Sequence, residues 1–327
     1  MTKYFTLSDS LDVNEFFGTL EHNKETWETE WGNPYITRDY ISGIKSLGFG
    51  GICLPVTFFP HIKWKTEENN NELLTCVKID SWFFERIKEI VSYITECGMK
   101  CIIRIHHDTD WLQELNVEYV PYVIKKYKAL IDLFMSEFSY FDEELVAFEC
   151  FNEVGFLEEE AERKELFLSC SNYFVQKVRQ VNPERKLILQ GVYADAVETV
   201  KNLKELSTIM DENCYIGLHW YYPRDYTLTD DINVVSKVDI SDFESTNTKE
   251  VEALKEICQK CKVVISEYGC TIPSHDDVDI YRWYSWCQTL FDTLGLDRAA
   301  WMEKPGRSVI DRETLQENVP GILDTLI

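Results

Sequence analysis

Eight short apolar runs, each followed by a longer amphipathic stretch, constrain this chain more than any other feature of its sequence. The runs fall at 16–21, 51–56, 101–106, 145–152, 186–190, 215–220, 263–267 and 299–302. Apolar runs of this length, bounded by turn residues, predict strands buried on both faces, as in a parallel sheet joined by crossover helices. Between them the spacing predicts helices at 38–47, 81–97, 118–137, 158–181, 194–205, 249–260, 278–295 and 313–323. Gly48 and Gly98 stop the first two, and Asp80 is placed to cap the start of the second. Strict alternation of strand and helix predicts an α/β fold, a (β/α)8 TIM barrel filling residues 1–327 as one domain. The competing arrangement is a doubly wound open sheet. Its usual nucleotide chemistry needs a glycine-rich phosphate loop after the first strand, and the sequence has none there.

Charge narrows the partners. With 33 Lys+Arg against 57 Asp+Glu the chain carries −24, and no basic run offers phosphate contacts, so nucleic acid is excluded as an expected partner. No apolar stretch approaches the ~20 residues of a membrane span. Residues after Met1 carry scattered charges and lack the apolar core of a signal peptide. The chain as it stands therefore reads as cytoplasmic, or as extracellular if it is a processed or excised domain. Without export its eleven cysteines are expected to stay reduced. Cys97 with Cys101 and Cys258 with Cys261 have spacings that suit zinc. The barrel places both pairs on the rim away from the strand C-termini and on opposite sides of the ring, so no shared metal is expected. A monomer is the expected state.

In such a barrel the chemistry sits where strands end. Two carboxylates stand there, Glu153 closing Leu-Val-Ala-Phe-Glu-Cys-Phe-Asn-Glu and Glu267 closing Val-Val-Ile-Ser-Glu. Two other strands separate theirs in the ring, so the side chains face one another across the mouth. Opposed carboxylates with aromatic residues around them have the constitution of a retaining glycosidase, one acting as nucleophile and the other as acid and then base. The alternative for each is a structural ion pair with a basic residue inside the barrel.

The motifs WGNP (31–34), GFGGICLPV (48–56), IHHD (105–108), FECFNE (148–153), HWYYPRDYT (219–227), SEYG (266–269), and Trp301 followed by IDR (310–312) occur in this order. In that order the chain resembles glycoside hydrolase family 5, closest to its endo-β-1,4-glucanase branch, over roughly residues 14–312. The resemblance implies Glu153 as acid/base, Glu267 as nucleophile and Asn152 as the ligand of the sugar 2-hydroxyl. It implies that His219 and Tyr221 hold the two carboxylates in their protonation states, that His106 and His107 contact sugar, and that Trp301 is the stacking platform in the reacting subsite. Trp31 and Trp111 are candidates to extend the cleft, with Trp64 and Trp220 behind them. His106 and His107 could also bind zinc, but neighbours in a strand point to opposite faces, which argues against one shared ion. No cofactor is implied, and the partner is an oligo- or polysaccharide.

The family pattern fails at one place that matters. Cys53 stands where the family carries an arginine that hydrogen-bonds the nucleophile, while Arg104, where asparagine is usual, has the same strand parity as His106. Either Arg104 takes over that role, or it serves only to neutralise Glu149 on the next strand. Val154 replaces a proline, and Met302-Glu303 replaces an aromatic and an aspartate. These departures leave three readings: an active retaining β-glycosidase on β-1,4-linked glucan, a carbohydrate-binding pseudoenzyme, or a related hydrolase of mannan, xyloglucan or β-1,3-glucan. Acidic residues in the long stretch 223–248 are expected to flank the cleft and disfavour anionic sugars.

Overall fold

The computed structural model describes residues 1–13, 24–69, 72–107, 120–229, 231–239, 241–270, 275–303 and 308–327. Ten strands are formed among them: β1 (Lys3–Thr6), β2 (Gly51–Val56), β3 (Ile62–Asn69), β4 (Glu72–Ile79), β5 (Lys100–Ile105), β6 (Val146–Glu149), β7 (Leu187–Gln190), β8 (Cys214–Trp220), β9 (Val263–Tyr268) and β10 (Asp297–Ala300). Eight of them close a parallel barrel in the order β1, β10, β9, β8, β7, β6, β5, β2, so the expected (β/α)8 architecture is what the chain adopts.

The first strand corrects the sequence reading. The stretch 16–21 lies outside the described residues, and the barrel position assigned to it belongs to Lys3–Thr6, which pairs with β10 and β2. Four residues are too few to show a period. A second departure is the antiparallel hairpin β3–β4, set outside the barrel and paired from Ile62↔Ile79 to Asn69↔Glu72. The helix expected at 313–323 does not form, and only Leu323–Leu326 is helical there. Asp311 instead accepts from the backbone of Glu313 and Thr314, curling the chain into a turn. Leu315 then takes a left-handed φ of 56°, and Pro320 with Gly321 follows. The helix expected at 194–205 divides into Ala196–Lys201 and Leu203–Ser207, and the stretch 223–248 holds three one-turn helices. Within that stretch Asp231, Asp239 and Asp242 accept backbone N–H bonds from Asn233, Ser241 and Ser245, so these carboxylates are engaged locally.

Layers inside the barrel position the site. Tyr4, Cys53, Ile102, Ala147, Ile188, Val264 and Ala299, one from each of seven barrel strands, form an inner apolar cluster with Tyr215 of the eighth packed against it. Two residues further along the same faces come Arg104, Glu149, Gln190, Gly217 and Ser266, a buried and mostly polar layer. Gly217 is needed here: a Cβ would lie 2.7 Å from Ile188 Cγ2 and 3.0 Å from Glu149 Oε1. Above this layer the strands end.

Candidate active site

A cavity of about 300 Å³ opens at the C-terminal ends of the strands, and His106, His107, Asn152, Glu153, Tyr221, Glu267 and Trp301 all line it. Local backbone features aim these side chains. Glu153 has φ 50° and His107 φ 49°, left-handed conformations that cost non-glycine residues of the order of 1–3 kcal/mol. At Glu153 the backbone N–H is held by the Gln190 side-chain oxygen. Between β8 and β9 the register slips after Leu218↔Ile265, so that His219 comes level with Glu267. Such a slip re-aims side chains at a barrel rim.

The two histidines contradict the alternation argument. β5 ends at Ile105, and the left-handed turn at His107 brings its ring to 4.0 Å from that of His106. With Asp12 they form a trio whose ligand atoms lie within 4.8 Å of one another, a set able to receive a divalent cation. His106 Nδ1 lies 3.3 Å from Asp12 Oδ2. Burial, with Arg104 next, drives His106 far below the ordinary imidazole range. Burial and His106 together bring His107 down to about 3. Both rings are therefore neutral near pH 7.

Arg104 does both of the things weighed for it. Its Nε donates to Glu149 Oε2 at 2.7 Å and its Nη1 to Glu267 Oε2 at 2.7 Å, while Nη2 donates to the Ser266 carbonyl. Arg104 and Glu149 are fully buried, so each charge depends on the other for compensation. Cys53 packs in the apolar layer below. Burial, opposed by Arg104, pushes its thiol up to about 12, so it carries no charge.

Around Glu267 the hydrogen bonds converge. Tyr221 Oη donates to its Oε1, and His219 Nε2 lies 3.6 Å from its Oε2. Burial raises the Glu267 carboxyl above its ordinary range, against the pull of His219, Arg104 and Tyr221 and with the repulsion of Glu153. Glu153 is different: its side chain is 50% exposed and its Oε1 lies 2.8 Å from His219 Nδ1. Burial pushes this carboxyl upward, and the hydrogen bond from His219, together with the charge of that ring whenever it is protonated, pulls it below the ordinary carboxylate range. Burial opposes charge on His219, and the two carboxylates overcome that and raise it. Glu153, His219 and Glu267 therefore titrate together, and the first two compete for a proton across their hydrogen bond. Oxygens of the two glutamates approach within 4.8 Å. Asn152 Oδ1, buried beside them, has no hydrogen-bond partner among the described residues.

The tryptophans divide. Trp301, half-buried, stands at the cavity wall with its ring 5.4 Å from His106. Trp31 packs against the hydrophobic core and is not among the residues lining the cavity. Trp220 is fully buried against Tyr222, Trp286 and Phe291, so it cannot extend a cleft. Trp111 lies outside the described residues, and Trp64 belongs to the hairpin strand β3.

Two neighbours of the site, Gln190 and Asp12, have no role in the sequence reading, and a third, Arg312, enters it only as part of a motif. Gln190 closes an apolar strand with a polar residue, the same signal that marked Glu153 and Glu267. Asp12 follows the strand that had been misplaced. Arg312, of the IDR motif, donates to the carbonyls of Ser8 and Met302 and so ties the loops after β1 and β10 together.

Comparison with known proteins agrees with this geometry. The family model described as cellulase (glycosyl hydrolase family 5) matches residues 13–304. Endoglucanase A of Ruminococcus albus is 27% identical over 99% of this chain and 89% of its own length. Among solved structures, a glycoside hydrolase 5 lichenase from Caldicellulosiruptor in complex with cellotetraose superposes with a TM-score of 0.83 at 19% identity, covering 99% of this chain and 92% of that one. A xyloglucan-specific endo-β-1,4-glucanase from a metagenomic library, in complex with cellotriose, gives a TM-score of 0.81 at 23% identity, covering 99% and 95%. A strand-end carboxylate pair inside a barrel of this topology, together with a family match across the barrel, leaves one conclusion: the chain belongs to glycosyl hydrolase family 5, the cellulase family, and is a glycoside hydrolase.

Proposed function

We propose that this hydrolase cleaves neutral β-1,4-linked or mixed-linkage glucan with retention of configuration, by double displacement. The observation that carries the reading is the approach of Glu153 and Glu267 oxygens to within 4.8 Å. Retaining enzymes hold their carboxyl groups ~5–5.5 Å apart, whereas inverting enzymes leave ~6.5–9.5 Å for a water. Relatives named as endoglucanase, lichenase and xyloglucan-specific glucanase support a β-glucan substrate.

Glu267 attacks the anomeric carbon, kept ionised against its burial by Arg104 and Tyr221. The sugar's leaving oxygen takes the proton of the Glu153 carboxyl, which His219 Nδ1 faces at 2.8 Å. An arriving glucan displaces water from the half-exposed Glu153, and desolvation favours its protonated form. Once Glu267 has become a neutral ester, its repulsion on Glu153 is gone. Glu153 then stays ionised and draws a proton from the water that attacks the ester. Asn152, with its unpartnered oxygen, receives the hydroxyl next to the reacting carbon, and Trp301 stacks beneath the ring. His106 and His107, both neutral, offer hydrogen bonds to the same sugar. Arg104 is the arginine that serves Glu267 in place of one at position 53.

The test is a panel of barley β-glucan, xyloglucan, mannan and laminarin given to the wild type and to Glu267→Ala. Product from the wild type alone, with the β-anomer appearing first by NMR, fits the reading. Glucan binding without product from the wild type would make the protein a lectin-like binder. A 2-deoxy-2-fluoro cellobioside with an activated leaving group is expected to add its mass to the peptide carrying Glu267.

A further inference from the structure

The Gln190 amide is buried beneath the carboxylate pair, and its orientation is fixed from two sides. The backbone N–H of Glu153 can only donate, so the amide atom facing it is the oxygen. The Glu149 carboxylate, paired with Arg104, can only accept, and it lies 3.5 Å from Gln190 Nε2. That same Nε2 is 3.2 Å from His219 Nε2. Since the amide nitrogen donates, His219 Nε2 must accept, and the imidazole proton must be on Nδ1, pointing at Glu153 Oε1 at 2.8 Å. An imidazolium would set N–H against N–H.

We propose that Gln190 is a positioning residue that fixes His219 as the neutral Nδ1–H tautomer and thereby keeps the transferable proton on Glu153. The inference rests on the hydrolase reading above and deepens it. Charged groups face His219 in both senses: Glu153 and Glu267, the latter with Oε2 3.6 Å from Nε2, draw a proton onto the ring, and Arg104 disfavours it, while Arg224 acts on the charge of Glu153. Among the described residues Gln190 is the hydrogen-bond partner of Nε2. In the glycosylation step the Glu153 proton goes to the leaving oxygen, the bond from that oxygen to the anomeric carbon breaks and the bond from Glu267 forms. The His219 proton stays on Nδ1 and hydrogen-bonds the new carboxylate. In the second step Glu153 takes a proton from water and Glu267 departs as carboxylate, which restores the start.

The test uses Gln190→Met, which removes the donor, and Gln190→Glu, which replaces it with an acceptor. Both shift the Glu153 proton onto His219 and leave Glu153 ionised. For phenyl cellobioside, whose leaving group needs protonation, the plateau of kcat/KM is expected to fall about 10–100-fold. For 2,4-dinitrophenyl cellobioside, which needs no acid, it should stay within about threefold. Because the imidazolium form is stabilised, the alkaline limb should move to higher pH, further in Gln190→Glu. Equal losses on both substrates, or an unmoved alkaline limb, would overturn the proposal. A direct readout needs no variant: in wild-type protein labelled with 15N-histidine, His219 should show a proton coupled to Nδ1 and none to Nε2, and the reverse pattern sinks the idea. If the wild type cleaves neither cellobioside, the hydrolase reading fails and the NMR result still judges Gln190.

Discussion

Arg104 is the residue on which the charge balance of the site turns. It stands between two acceptors, Glu149 and Glu267, each 2.7 Å from one of its nitrogens. Removing it leaves a buried carboxylate with no cation. Arg104→Met is therefore expected to lower unfolding free energy by about 3–5 kcal/mol, measured by urea denaturation. It should also move the acidic limb of activity. Glu267 must be ionised to attack, burial already raises its pKa, and Arg104 is one of the groups opposing that rise. Without Arg104 the pKa climbs further, so activity disappears at a higher pH on acidification. An acidic limb that stays in place would show that Arg104 serves Glu149 alone. Cys53→Arg alone should not raise activity, because Arg104 already occupies Glu267 Oε2, and an unpaired cation buried in the apolar layer should cost on the order of several kcal/mol in desolvation besides the overpacking. On an Arg104→Asn background the same change should recover part of the lost kcat/KM.

At the scale of strands and helices, the interior layers explain which substitutions the barrel tolerates. Gly217 of β8 is closed in by Ile188 Cγ2, Glu149 Oε1 and Ser266 Oγ. Gly217→Ala is expected to destabilise by about 1–3 kcal/mol and to reduce activity, since the added methyl displaces the carboxylate that seats Arg104. A thermal melt and an assay on β-glucan check it; unchanged activity would mean that the displaced carboxylate is not needed to hold Arg104. The same layers show what was legible in sequence. Strands such as Gly51–Val56 are continuous apolar runs, so their place in the barrel could be read directly. Glu153 and Glu267 stood out because each ends such a run. β1 was not legible, because Lys3–Thr6 is four residues long and offers no period. The hairpin β3–β4 was missed since its function in the fold is not to fill the barrel. His106 and His107 were set on opposite faces by a rule that holds only inside a strand, and the strand stops one residue earlier. Gln190 had the same strand-end signal as the glutamates, but an amide carries no charge to draw attention to it.

For the molecule as a whole, the charge of −24 acts at a distance that pairwise contacts do not. Beside the loop that follows β8, the carboxylates of Asp195, Glu198, Asp225, Asp239 and Glu250 outnumber the cations Arg224, Lys237 and Lys249 along one groove. Their combined field, with that of the remaining acidic surface, repels an approaching polyanion and leaves a neutral glucan unaffected. At ~0.01 M salt the Debye length is about 30 Å, comparable with the size of the barrel; at ~0.15 M it shrinks to about 8 Å. kcat/KM on carboxymethyl cellulose is therefore expected to rise severalfold between those two ionic strengths, while kcat/KM on barley β-glucan stays flat. The rise should appear in kcat/KM and vanish at saturating substrate, because the field acts on encounter and not on the two carboxylates. Parallel salt dependence on both polymers would mean that salt acts on the catalytic groups or on folding. A rise on the anionic polymer alone would place the effect in the long-range field of the acidic surface.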